Sequence, residues 1–191
     1  MRKLILSMQV SLDGFTEGPG GDMSWVATDD DNQWKDLFEM LESVDLFLLG
    51  RVMWPEYRDY WKKALTSSTA SPNDVAYAKR AEKTKHLVFS QTMNDSGWEN
   101  TTIIKGPVLE EVVKLKEASG KDIQIVGGAK LAATIIEASL VDEYRLTINP
   151  VILGDGKSFF RTQHSKQVLE LISTKELPSG VVVVRYKVNH S

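Results

Sequence analysis

Apolar and polar positions alternate from the start of the chain: Leu4, Leu6, Met8 and Val10 interleave with Ile5, Ser7 and Gln9. A period of two predicts an opening strand that ends at Asp13-Gly14. Thr16 to Gly21 is rich in glycine and proline and reads as a loop. Trp34, Leu37, Phe38 and Leu41 then recur at helical spacing, and the helix they mark is predicted to begin near Asp29 to Asp31, where acids favour an N-terminus. Asp45-Leu-Phe-Leu-Leu-Gly50 is a short apolar run closing on glycine, the pattern of a strand buried on both faces, and Arg51 is expected to open the next helical stretch.

The alternation continues. A helix through Ala76 to Ala81 leads into a strand His86 to Ser90, and Ile103 and Ile104 mark another short strand. Val108 to Lys116 reads as a helix, Ile123 to Val126 as a strand broken at Gly127-Gly128, and Leu131, Ile135 and Ile136 as a further helix. From Asp142 the period becomes that of strands: Tyr144 to Ile148, Val168 to Ser173 and Val181 to Val188. Strand–helix alternation followed by consecutive strands implies an α/β fold: a mixed, mostly parallel central sheet finished by antiparallel strands, with helices on both faces. No repeat or linker divides the 191 residues, so a single domain over 1–191 is expected.

Composition narrows the function. A formal net charge of −3 offers no broad attraction to phosphate backbones, so nucleic acid is not expected as a partner. The chain has no cysteine, which removes disulfides and thiolate chemistry and fits a reducing compartment, and His86, His164 and His190 are too scattered to suggest a metal site. No apolar run has the length of a membrane span, and a cytoplasmic protein is expected.

Three predicted strand ends place glycine or small polar residues at the carboxyl edge of the sheet, where open α/β folds bind ligands. At Gly50-Arg51, exposed backbone donors and a guanidinium suit a phosphate; an arginine after a turn would look the same. At Ser90-Gln91-Thr92, hydroxyls and an amide suit phosphate or adenosine atoms, though the trio is also an ordinary polar turn. The third, Gly127-Gly128-Ala129-Lys130-Leu131, is a strand-glycine-helix junction that lets backbone approach a pyrophosphate over a helix N-terminus. It lacks the G-x-G-x-x-G spacing and is not a Walker loop. Asp13 and the Asp29-Asp30-Asp31 run could supply a carboxylate that orients a substrate ring by bidentate hydrogen bonds; a turn aspartate and a solvated helix start are equally consistent with them, and Asp13 and Asp30 become the candidates for substrate orientation or proton supply once the resemblance described next is taken in. Trp54, Tyr57 and Trp61 share a helical face and read as core or interface.

Taken in order, these pieces resemble the dihydrofolate reductase-like fold, and within it the family of the C-terminal reductase domain of RibD. The residues that carry the likeness are Ser11-Leu-Asp-Gly-Phe15, Leu49-Gly-Arg51, Val88-Phe-Ser-Gln-Thr92, Val126-Gly-Gly-Ala-Lys-Leu131 and the stretch Val141 to Phe160. The resemblance implies a three-layer fold and an NADPH-dependent reductase, with NADH the second choice, transferring hydride to a small pterin-, pyrimidine- or sugar-like substrate. It puts Gly50, Arg51 and Ser90 to Thr92 near the adenosine phosphate, Gly127 to Leu131 at the pyrophosphate, and the backbone of Met8 to Val10 and the loop from Asp13 to Gly18 beside the nicotinamide. It also implies a cis bond between Gly127 and Gly128, and a homodimer whose apolar interface would draw on Trp54, Tyr57 and Trp61 or on the C-terminal strands.

Met23-Ser-Trp25 followed by Asp30 looks like the dihydrofolate reductase pattern of a tryptophan five residues before the substrate-binding acid. The family often has arginine where this chain has Gln91, which removes one partner for a 2′-phosphate. The zinc deaminase domain that RibD also carries needs cysteine ligands, so any reductase activity here is expected to be free-standing. The competing expectation is a non-catalytic dinucleotide-binding module, a sensor or assembly partner, on the same fold; a different α/β nucleotide binder would need the phosphate-loop motifs that are absent.

Overall fold

The computed structural model describes residues 1–27, 30–158, 160 and 166–189; Asp29, Phe159, His164 and His190 lie outside them. Among the described residues eight strands and five α-helices follow one another as β1 (Leu4–Ser11), α1 (Asp31–Leu41), β2 (Val44–Gly50), α2 (Trp54–Thr66), α3 (Pro72–Lys83), β3 (Lys85–Phe89), β4 (Thr101–Ile104), α4 (Val108–Glu117), β5 (Asp122–Gly127), α5 (Ala129–Glu137), β6 (Glu143–Asn149), β7 (Leu169–Glu176) and β8 (Val182–Val188). They form one 8-stranded sheet in the order β4-β3-β2-β5-β1-β6-β8-β7. The strands from β4 to β6 pair in parallel, and β8 and β7 close the sheet antiparallel. The predicted architecture is the observed one.

A parallel sheet has no face for water, and both faces here are covered. Leu4, Leu6, Leu46, Leu48, Ile123 and Ile125 point one way, against α4 and α5. Ile5, Phe47, Leu49 and Val88 point the other way, against α1, α2 and α3. This is why Leu46 to Leu49 is an unbroken apolar run, every member of which is buried. α3 begins earlier than its periodicity suggests because Ser71 caps it, accepting the backbone N–H of Asp74 at 3.0 Å. Arg51 opens no helix. It sits in a turn, and α2 starts at Trp54 because Pro55, which has no N–H to donate, belongs in a first helical turn.

Trp54 and Tyr57 are core residues and supply no exposed interface; the indole N–H of Trp54 donates to the Ser96 carbonyl at 2.8 Å. With Phe47 and Trp98 they enclose His86, whose ring lies 5.3 Å from the Phe47 ring and 5.3 Å from the Trp98 ring, while its Nε2 faces the Tyr57 hydroxyl at 3.3 Å. Burial in this aromatic cage lowers the imidazole pKa from 6.5 to about 4. Between those values the unfolded chain binds a proton that the folded chain does not. The stability His86 confers is therefore complete above pH 6.5 and is lost as pH falls toward 4. In urea unfolding at pH 7 and pH 4.5, the wild type is expected to lose about 2 kcal/mol more than His86→Phe across that interval. Equal losses would show that His86 does not enter the core neutral.

Candidate functional site

Because β3, β2, β5 and β1 are parallel neighbours, their carboxyl ends share one edge. Gly50 stands opposite Phe89, and Leu49 opposite Gly127, so the three junctions singled out in the sequence are brought together. The turns after β2 and β5 touch backbone to backbone. A Cβ built on Gly50 would be 3.2 Å from the Gly128 Cα, and one built on Gly128 would be 2.9 Å from both the Cα and the N of Gly50. Gly128 also takes φ +102°, which L side chains rarely adopt. Met53, between β2 and α2, fills the place where a Gly127 side chain would go. The bond between Gly127 and Gly128 is trans, contrary to the expectation from dihydrofolate reductases, the left-handed conformation of Gly128 turning the chain instead.

α5 starts straight after this contact, and no side chain caps it. The first-turn N–H groups of Ala129, Lys130 and Leu131 thus have no partner inside the helix and none from a capping residue, which makes this end a donor set for an anion. Arg51 is exposed on the adjoining turn. At the next strand end Gln91 and Thr92 are exposed, with the Gln91 amide donating to the Lys105 carbonyl at 2.6 Å. Ser90 is buried, and its hydroxyl oxygen accepts the N–H of Met93 at 2.9 Å, bracing the turn. Val10 is buried against the α5 side of the sheet. The donors, glycines and guanidinium of this edge fit a dinucleotide phosphate.

The two candidate acids are both occupied, each by its own partners. Asp13 accepts the Ser11 hydroxyl at 2.7 Å, the Leu153 N–H at 3.1 Å and the Gly154 N–H at 2.8 Å, tying the end of β1 to the 151–154 loop. The Ser11 bond, followed by those backbone donors, holds its carboxyl below the usual range. Asp30 caps α1, accepting the Asn32 N–H at 2.9 Å, and takes the Ser179 hydroxyl at 2.7 Å from the β7–β8 turn. The Ser179 bond is the main cause of its lowered pKa. Trp25 donates its indole N–H to the Asp22 carbonyl at 2.9 Å, within its own loop.

Beside the end of β1 lies a pocket of about 260 Å³, lined by Gln9 of β1, Gln33, Trp34 and Leu37 of α1, Tyr60 and Trp61 of α2, and Asp74 of α3. Sequence reasoning missed it. The Gln9 side-chain oxygen accepts the Asn149 amide at 2.9 Å. Gln33 is only 9% exposed, yet its side-chain oxygen has no hydrogen-bond partner. Along α1 from Gln33, Asp36 forms an ion pair with buried Arg145 of β6, whose guanidinium also donates to the Ser7 hydroxyl at 3.1 Å. The available signal was the polar face of an internal strand: Ser7 and Gln9 had to find partners there.

This geometry, a doubly covered parallel sheet with an antiparallel C-terminal hairpin and a glycine-lined carboxyl edge, is the dihydrofolate reductase-like fold. The profile of the RibD C-terminal domain matches residues 2–183, and the chain belongs to that family. Protein YyaP of Bacillus subtilis strain 168, itself uncharacterized, is 38% identical over 189 residues, covering 98% of this chain and 96% of that one. The fold is shared with the diaminohydroxyphosphoribosylaminopyrimidine deaminase/5-amino-6-(5-phosphoribosylamino)uracil reductase of Thermotoga maritima, with a TM-score of 0.69 and 14% identity over 98% of this chain and 57% of that one. It is shared too with Enterococcus faecalis dihydrofolate reductase, solved with NADP(H), with a TM-score of 0.60 and 14% identity over 98% and 96% of the two chains. Among the described residues no group of side chains is arranged to hold a metal ion, and no helix is long and apolar enough to cross a membrane.

The backbone contact at the carboxyl edge has a measurable cost of disruption. Gly154 also has positive φ, at +75°, but a Cβ there would meet nothing within 4 Å. Gly128→Ala is expected to destabilise the protein by about 2 kcal/mol more than Gly154→Ala in chemical denaturation, since it adds a backbone collision to the φ strain. Equal losses would show that the two turns do not touch.

Proposed function

We propose that the chain is an NADPH-dependent reductase that transfers a hydride to a small planar substrate. The observation that carries this reading is the uncapped N-terminus of α5 beside the Gly50–Gly128 contact, on the same sheet edge as the Gln9–Gln33 pocket. In it, the N–H groups of Ala129, Lys130 and Leu131 hold the diphosphate, and Gly50 and Gly128, lacking side chains, let it come close. Arg51 reads the 2′-phosphate, and Gln91 and Thr92 border the adenosine side. The bound dinucleotide supplies the hydride. The chain's own contribution is placement: β1 runs between the two halves of the site, and its last turns set the distance from cofactor to pocket. Asp13 and Asp30, held ionised by the donors around them, position the 151–154 loop and the start of α1 in this reading, and the substrate proton comes from water. Support also comes from the family and from the fold shared with a reductase solved with NADP(H).

Calorimetric titration with NADPH and with NADH tests the reading. Micromolar binding that favours NADPH is expected, and Arg51→Ala is expected to weaken NADPH about tenfold while leaving NADH nearly unchanged. Equal weakening of both would remove Arg51 from the 2′-phosphate site, and no binding of either coenzyme would overturn the proposal. Steady oxidation of NADPH by a pterin, pyrimidine or quinone acceptor would exclude a non-catalytic dinucleotide-binding module.

A further inference from the structure

Trp54, Tyr57 and Trp61 form a stripe along α2 that the proposed reaction does not use. Their rings stand in series with two others. Tyr60 and Trp61, which line the pocket beside β1, meet edge to face at 4.7 Å between ring centres. From Trp61 the next ring is Tyr57 at 6.2 Å, then Trp54 at 5.9 Å, then Trp98 at 6.1 Å. The middle of the series is closed to water, with Trp54 0% and Tyr57 6% exposed, whereas Tyr60 at one end is exposed and Trp98 at the other is half-buried. Indole and phenol are, with thiols, the side chains that give up one electron most readily, and this chain has no cysteine. Rings so close exchange electrons, because electronic coupling falls steeply with distance.

The hydrogen bonding inside the series is what a packing stripe does not call for. The Tyr57 hydroxyl lies 3.3 Å from His86 Nε2 and 3.4 Å from the Tyr77 hydroxyl, and all three side chains are buried. Phenylalanine and leucine would fill such space without desolvating a hydroxyl and an imidazole. A phenol that loses an electron becomes a strong acid, and it holds the hole only if its proton has somewhere to go. Burial keeps the His86 ring neutral at pH 7, with its pKa lowered to about 4, and even so weak a base takes a proton from an oxidised phenol. Among the described residues the Tyr77 hydroxyl meets that of Tyr57 and no base.

We infer that the α2 stripe is a path for single-electron oxidation between the pocket and the surface at Trp98, with Tyr57 as its redox-active residue and His86 Nε2 as the proton acceptor. An oxidant in the pocket, an organic radical or a photoexcited flavin, takes one electron from the Tyr60–Trp61 pair and is reduced by that electron. Tyr57 refills the pair and passes its phenol proton to His86, in the tautomer with its hydrogen on Nδ1, leaving a neutral tyrosyl radical beside an imidazolium. A soluble thiolate at Trp98 returns one electron through Trp54 and becomes a thiyl radical, and His86 gives the proton back. The path is independent of hydride transfer and needs no coenzyme.

A chain without cysteine can be labelled at one chosen place. A ruthenium polypyridyl photo-oxidant attached through Tyr60→Cys injects the hole at the pocket end of the full chain, and transient absorption and electron paramagnetic resonance follow it. A tyrosyl radical is expected to form, more slowly in deuterated water, and to be lost in Tyr57→Phe, which keeps the ring. His86→Phe is expected to slow its formation about a hundredfold, the usual scale for removing a positioned base. Trp54→Phe is expected to leave the radical in place and slow its reduction by added glutathione. Tryptophan radicals alone, a tyrosyl radical that survives Tyr57→Phe, one that forms as fast without His86, or one reduced as fast without Trp54 would overturn the inference. So would the lack of a solvent isotope effect, which is read with Tyr57 and His86 in place and decides the matter where a variant does not fold. NADPH binding is titrated separately: coenzyme binding without the tyrosyl radical defeats the oxidation path alone, and the radical without coenzyme binding defeats the reductase reading alone.

Discussion

The structure depends on one requirement, that the parallel sheet be sealed on both sides, and on the place where the seal is polar instead of apolar. Over most of the sheet Leu, Ile, Val and Phe side chains meet helices and nothing further is needed. Under α1 the strands β1 and β6 turn Ser7, Gln9, Arg145, Thr147 and Asn149 to that face. A guanidinium buried there without a counter-charge would cost several kcal/mol, so Asp36 is tied to Arg145, and the rotation and height of α1 follow from that pair. Gln33 and Asp36, three positions apart, share one side of the helix. The ion pair that seals the sheet thereby also aims the amide of Gln33.

The two halves of the site obey different physics. At the carboxyl edge the chain withdraws side chains, so that backbone donors and a helix N-terminus are what a ligand meets. In the pocket it does the reverse, crowding indole, phenol and amide groups around a small cavity. β1 borders both, because it lies between β5 and β6.

Most of the fold was legible because its elements follow hydrophobic periods of two and of 3.6. The start of α2 was misread because the Arg51 turn looks helical until Pro55 is considered. The glycine junctions could be read as a site because glycine at a strand end has few other uses; that Gly50 and Gly128 touch each other is a matter of strand order, which no local pattern carries. Asp13 and Asp30 were visible as acids, but the partners that tie them across the fold, Leu153 and Ser179, lie 140 and 149 residues away. Gln33 gave no signal at all. It lies next to Trp34 in the helix pattern as an ordinary polar residue, and only the meeting of α1 with α2 and β1 buries it.

The contact of Gly50 with Gly128 bears on how this sequence can drift. Where two side chains touch, a larger residue on one side can be matched by a smaller one on the other, and lineages exchange such pairs. Here each position is opposed by main chain, which has nothing left to trim. A second substitution at the facing position removes no atom from the collision. Gly128, with its positive φ and a 2.9 Å approach to main chain, is held to glycine by its own backbone as well as by its neighbour's, whereas Gly50 is held by its neighbour alone.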